Sequence, residues 1–155
     1  MNYLPLLALL AGAAIAIQAA FNAQLGVLLD NSLLGTSVAF LIAFVCTVTL
    51  TLFSTQHYPA IHHIKAVPLQ FWFVGGALSA LGVSLFYYLI PKMGLGPMMS
   101  FALSGQILVA TLASHYSWFN LPANPINSLK LVGVAALVVG LFFINWEPGY
   151  AHAAR

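Results

Sequence analysis

Long apolar stretches separated by short polar breaks run the length of this chain, and the breaks mark where its elements begin and end. Leu4 to Leu29 is apolar and closes on Asp30, Asn31 and Ser32, a polar cluster that predicts a turn and a helix N-cap. A second stretch runs from Leu33 to about Phe53, followed by a polar loop from Ser54 to about Pro68 that holds Pro59, Lys65 and three histidines. Gln70 to Ile90 is the third, ended by Pro91 and Lys92. Leu95 to about Ser114 is the fourth, with Gly96 and Pro97 in its first turn, where proline is tolerated. After a loop from about His115 to Ser128 containing Pro122 and Pro125, the last stretch spans Leu129 to Trp146. A membrane β-strand would alternate apolar and polar residues over about ten positions, whereas these stretches are continuously apolar and about twice as long. The pattern therefore predicts five helices. Trp72, Trp118 and Trp146 fall at their boundaries, the depth that amphipathic rings prefer.

Composition turns five apolar helices into five membrane spans. Of 155 residues, 62% are hydrophobic and 4% charged, against about 25% charged in a soluble domain. Lys65, Lys92, Lys130, Arg155, Asp30 and Glu147 leave uncharged runs of 29, 34, 26, 37 and 16 residues. A bilayer is crossed by about 20 apolar residues. The expectation is an all-α integral membrane protein, with residues 1–155 forming one five-helix domain and spans near 4–29, 33–53, 70–90, 95–114 and 129–146. A net charge of +2 is too small and too dispersed to recruit nucleic acid, and the single Cys46 can form no intrachain disulfide. Met1, Asn2 and Tyr3 supply no positive side chain, so the first apolar stretch is read as a membrane helix and not as a cleaved signal peptide.

Charge also bears on orientation. Five spans put Lys65 and Lys130 on one side of the membrane and Lys92 and Arg155 on the other. Orientation normally follows an excess of Lys and Arg on the cytoplasmic side, so a balanced chain lacks a strong instruction. Insertion in both orientations is one reading; the other is that a few residues around the first helix decide the matter. An odd number of helices inverts a second copy, and many transporters are built from inverted repeats. Two such copies, oppositely inserted, would make a ten-helix inverted-repeat transporter from a chain that is half of one. Gly12, Ala16 and Ala20, then Gly75, Ser79 and Gly82, then Gly133, Ala136 and Gly140, recur at helical spacing and would let helices approach closely. Their spacing does not say whether the neighbour is the same chain or another.

Polar side chains inside the spans are the places to seek a solute pathway, because hydrocarbon penalises them unless they find partners. Gln18 and Asn22 lie four apart on one face of the first helix, and Gln24 lies on roughly the opposite face. Gln106 sits near the centre of the fourth helix, with Ser104, Thr111 and Ser114 nearby. Two readings stand side by side for Gln18, Asn22 and Gln106: they hydrogen-bond a polar, uncharged or zwitterionic solute, or they bond other helices. Hydroxyls in the spans are expected to bond back to helix carbonyls. Asp30 and Glu147 lie at helix ends, leaving no carboxylate deep in a span to carry protons. Asp30 is read as an interfacial residue, or as one at an entrance. His57, His62 and His63 share a loop without a carboxylate, a cysteine or the i, i+4 spacing of helical zinc motifs, so no metal site is expected. His115 is read as an interfacial group. No nucleophile, base and acid can be assembled, and no glycine-rich phosphate loop is present, which argues against an enzyme and against a bound cofactor.

The first helix, GAAIAIQAAFNAQLG from Gly12 to Gly26, resembles the opening signature of the small YdcZ-like proteins of the drug/metabolite transporter superfamily, in which a Q-x-x-x-N pair precedes a small residue, here Gln18, Asn22 and Gly26. The resemblance continues through FWFVGGALSALGV (Phe71 to Val83), PKMG (Pro91 to Gly94), SGQILVATLASHYSWF (Ser104 to Phe119) and LKLVGVAALVVGLFF (Leu129 to Phe143). Where that family often shows an Asp-His pair, this chain has Ser114 and His115. The resemblance implies a five-helix exporter of the bacterial inner membrane, acting as an antiparallel homodimer or with a related five-helix partner. It implies roles for Gln18, Asn22 and the Gly105-Gln106 pair. Residues and resemblance together predict alternating-access export of a small polar or amphipathic metabolite. Substrate contacts are expected at Gln18, Asn22, Gln106 and Ser104, and helix packing at Gly75, Ser79, Gly82, Gly133 and Gly140. The rival reading is a membrane scaffold or accessory subunit without transport.

Overall fold

The computed structural model describes residues 3–118 and 122–146, and every regular element among them is helical. In chain order these are α1 (Leu4–Leu28), α2 (Ser32–Ser54), α3 (Ile61–Ala66), α4 (Leu69–Met93), α5 (Leu95–His115) and α6 (Ser128–Asn145). All but α3 are long and apolar enough to cross a membrane. At 1.5 Å per residue, the 18 residues of α6 and the 25 of α1 reach roughly 27 and 38 Å, bracketing the roughly 30 Å hydrocarbon core. Glu147 and Arg155, which entered the charge count, lie outside the described residues, as do Met1, Asn2 and Phe119.

Beyond shifts of one residue at helix ends, two features differ from the expectation. Pro91 does not stop the third span; it lies inside α4, which runs on to Met93. Proline removes one backbone donor, and a membrane helix tolerates that loss. The end comes at Gly94, whose φ of +87° is a conformation that L side chains rarely adopt. Gly94 is also the N-cap of α5, so Pro97 falls in the first turn, where no intrahelical N–H bond is required of it. The second difference is α3, a short exposed helix within the stretch expected to be loop.

The chain divides into two compact units, Met1–Met93 and Gly94–Arg155. In the first, α1, α2 and α4 pack on one another. Its buried residues are Ala19, Ala23 and Gly26 of α1, Gly35 and Thr36 of α2, and Tyr87 of α4. They gather where α1 ends, α2 begins and α4 ends. The opposite ends of these helices, from Leu4 to Ile15, Leu41 to Ser54 and Leu69 to Leu81, are exposed throughout. A helix that is apolar all round still needs an apolar environment, and here lipid or another protein surface must supply it.

The α1–α2 turn locks the buried end. Asn31 N–H donates to Gly26 O at 2.9 Å and Asp30 N–H to Val27 O at 3.0 Å. This is the paired bonding of a Schellman helix end, with Asp30 in the left-handed position at φ +51°. Asn31 then caps α2, its side-chain oxygen accepting from Leu33 N–H at 2.9 Å and Leu34 N–H at 3.2 Å. One residue thus closes one helix and opens the next, so α2 must return directly along α1. The glycines permit the contact: a methyl on Gly35 would sit 3.0 Å from Gly26 Cα and 3.2 Å from Asn22 O.

In the second unit α5 and α6 pack antiparallel, joined at both ends by polar contacts. Asn145 Nδ2 donates to Ser100 Oγ at 3.0 Å. At the other end the loop folds back on α5: Asn124 N–H donates to Ser114 O at 2.9 Å, and Ile126 N–H donates to His115 Nδ1 at 3.1 Å. Lys130 Nζ donates to Asn124 O and Pro125 O, each at 2.8 Å, and to Asn124 Oδ1. The ammonium's three protons are matched by three acceptors, so Lys130 staples the loop and has no donor left for an anion.

Candidate functional site

Within the first unit, Ala19, Ala23 and Gly26 recur at the i, i+4, i+7 spacing of one helix face, and that face is the buried one. Asn22 borders it. Its Nδ2 donates to Tyr87 Oη at 2.9 Å, across from α1 to α4. Tyr87 is the largest fully buried side chain, 2% exposed. The bond uses one of the amide's two donors and leaves its carbonyl oxygen available. One turn earlier, Gln18 is exposed, and so is Gln24. The two stacked amides of α1 thus have different situations: Asn22 is half-buried and bonded to α4, and Gln18 presents a mid-span amide outward.

In the second unit Ser104 is buried and donates to Ser100 O at 2.8 Å. Gln106 is exposed. Two residues on a helix are about 200° apart, so Ser104 and Gln106 face opposite ways and do not share a cavity wall. Ser100 and Ser104, with Gly133 and Gly140, line an open cleft of about 450 Å³ between α5 and α6. Near its end Asn145 Oδ1 is buried without a hydrogen-bond partner. Several other span hydroxyls bond back to their own helices, Thr36 to Ser32 O at 2.9 Å, Thr47 to Ala43 O at 2.9 Å and Thr111 to Ile107 O at 2.7 Å among them.

The expected packing glycines are open: a methyl on Gly75, Gly82, Gly133 or Gly140 would meet no atom within 4 Å, and Ser79 is exposed. His62 and His63 lie side by side on α3, their ring centroids 4.0 Å apart and their planes tilted by 49°. Among the described residues they have no third His, Cys, Asp or Glu to complete a metal cluster.

Sequence reasoning missed Tyr87 and Asn145. Tyr87 is followed by Tyr88, and the two are 2% and 49% exposed. Nothing in a Tyr-Tyr pair says which ring turns inward. Asn145 stands beside Trp146 at the end of the last span, where a polar residue reads as interfacial. It missed Gly35 as well, because small residues were sought at repeat spacings within one helix, and Gly35 meets Gly26 across a turn.

Residues 3–143 match a protein family described as "Putative inner membrane exporter, YdcZ". Searches of curated proteins and of solved structures returned no match.

Proposed function

This chain belongs to the YdcZ family of inner-membrane exporters, and from that premise we propose that it is one protomer of an alternating-access exporter for a small polar or amphipathic metabolite. It is a multi-pass membrane protein of a transporter family, which is a different class from enzymes. The finer reading is that two oppositely inserted copies pair, each supplying half of a ten-helix inverted repeat, and rock against each other around the solute. A related five-helix chain would serve equally as the second half.

One observation carries this reading: α1 presents Gln18 outward in the middle of a membrane span. An amide facing hydrocarbon is costly, so it must meet protein or a water-filled cavity, and a transport pathway supplies both. Gln18 and Asn22 of the first unit and Gln106 of the second are the groups assigned to the solute; Ser104, on the opposite face of α5, would meet it only from the α5–α6 cleft. Gly75, Ser79, Gly82, Gly133 and Gly140 are assigned to close helix approach, with open faces that suit a second copy.

Topology tests the pairing. C-terminal reporters active on only one side of the membrane are expected to give comparable signal from both sides. Signal from one side alone would overturn the inverted homodimer and leave a related partner of fixed opposite orientation as the second half. The site is tested by Gln18→Leu and Gln106→Leu in protein that still inserts and associates. Each is expected to abolish export of an identified solute, together with that solute's stabilisation of the purified chain against heat. Export left unchanged would refute the assignment. The Asn22–Tyr87 bond favours the rival reading, a scaffold whose amides only pin helices; such a scaffold would show no solute-dependent stabilisation under any conditions.

A further inference from the structure

Beyond transport, we propose that the cleft between the α1–α2 turn and the last turn of α4 binds the headgroup of a phospholipid carrying a primary amine, its ammonium on Asp30 and its phosphate on Lys92. The cleft holds about 440 Å³ and lies wholly within the Met1–Met93 unit, lined among others by Val27, Asp30, Leu33, Tyr88 and Lys92.

Asp30 and Lys92 are opposite charges on one cleft, and no ion pair joins them. Lys92 Nζ instead lies over the Tyr88 ring, 4.4 Å from its centroid, and among the described residues the Asp30 side chain has no hydrogen-bond partner. A cleft whose charges neutralised one another would have no use for a ligand. This one leaves an acceptor and a donor apart, with molecule-sized space beside them, which is the complement of a zwitterion. The turn itself does not require the acid. At φ +51° glycine or asparagine would serve the turn as well as aspartate, so the backbone does not account for the carboxylate.

Depth and surroundings distinguish a lipid from a soluble zwitterion. Asp30 follows the end of α1 and Lys92 lies in the last turn of α4, which is where side chains reach the headgroup layer. Val27 and Leu33, on the cleft wall, are 50% and 63% exposed, so the cleft opens along apolar surface suited to acyl chains. A carboxylate only accepts hydrogen bonds. It can therefore bond the N–H groups of ethanolamine and finds none on choline. Asp30 sets the preference for the primary amine, and Lys92 holds the phosphate common to both lipids.

The test uses the full chain in detergent, offered equal amounts of phosphatidylethanolamine, phosphatidylcholine and phosphatidylglycerol, with retained lipid counted by native mass spectrometry. The wild-type chain is expected to retain ethanolamine lipid over choline lipid by roughly tenfold, the factor associated with a charge-assisted hydrogen bond. Asp30→Asn, which suits the left-handed turn as well as Asp does, keeps an acceptor but removes its charge, and should cut the ratio severalfold without changing the unfolding temperature in lipid-free detergent. Lys92→Gln should lower retention of both lipids and keep the ratio. A wild-type ratio near one, or a ratio that survives Asp30→Asn, overturns the proposal. So does preferential retention of phosphatidylglycerol, which would mark a plain cationic site. Displacement by soluble glycerophosphoethanolamine at the lipid's own concentration would assign the cleft to a free solute instead and overturn the lipid assignment.

Discussion

Tyr87→Ala is expected to destabilise the first unit by about 3 kcal/mol, the lower end of the range for truncating a buried aromatic. In a water-soluble protein part of that cost is the transfer of apolar surface out of water. Between membrane helices this part falls away, because lipid is as apolar as the protein interior. What remains is the loss of close contact around a ring that is 2% exposed and sits where α1, α2 and α4 converge. It is joined by the loss of the hydroxyl that accepts from Asn22 Nδ2 at 2.9 Å. Tyr87→Phe separates the two effects: it keeps the ring and removes the hydroxyl, and its cost should be near the roughly 0.6 kcal/mol typical of an interhelical hydrogen bond. Asn22→Ala combined with Tyr87→Phe should cost less than the sum of the single changes, since either one already breaks the bond. Thermal unfolding in detergent measures all of these. Equal losses for Tyr87→Phe and Tyr87→Ala would mean that the hydroxyl, and not the packing of the ring, holds the unit together.

Gly35→Leu should separate α1 from α2. The first carbon of any side chain at Gly35 would sit 3.0 Å from Gly26 Cα and Gly26 N and 3.2 Å from Asn22 O. All are backbone atoms of α1 and cannot swing aside. The turn prevents relief by sliding, because Asn31 N–H is held to Gly26 O and Gly35 N–H to Asn31 O at 3.2 Å. Overpacking a tight contact costs about 1–3 kcal/mol. Gly35→Ala should reach that range and Gly35→Leu exceed it, with loss of the Asn22–Tyr87 pairing as α1 moves away. Gly12→Leu is the control, since a methyl there meets nothing within 4 Å. Its unfolding temperature should match the wild type. If Gly35→Leu also matches, the close approach of α1 and α2 is incorrect.

Gln18 and Asn22 show how far spacing carries. Four residues apart, they stack on one side of α1 whatever surrounds the helix, and that much follows from 3.6 residues per turn. Which of them meets a partner depends on where α4 lies, and no property of α1 contains that. Gln106 and Ser104 make the converse point: a helix separates them by about 200°, so the two cannot line one face of α5 together. Pro91 shows that punctuation also has ranks. A proline costs one hydrogen bond, which a membrane helix survives, whereas Gly94 at φ +87° turns the backbone out of the helix.

By itself the sequence determined that this is a membrane protein of five long apolar helices, and it carried enough of a shared pattern to reveal the family. Both properties are written locally, one in runs of apolar residues that water would reject and the other in short motifs kept in order. Only the tertiary structure decided that Tyr87 and not Tyr88 is buried, that Gly26 and Gly35 are the glycines in contact, and that Asp30 and Lys92 border one cleft. Each depends on how one helix lies against another. In helices that are apolar on every side, no amphipathic stripe points toward the partner, so the packing faces cannot be read until the helices are brought together.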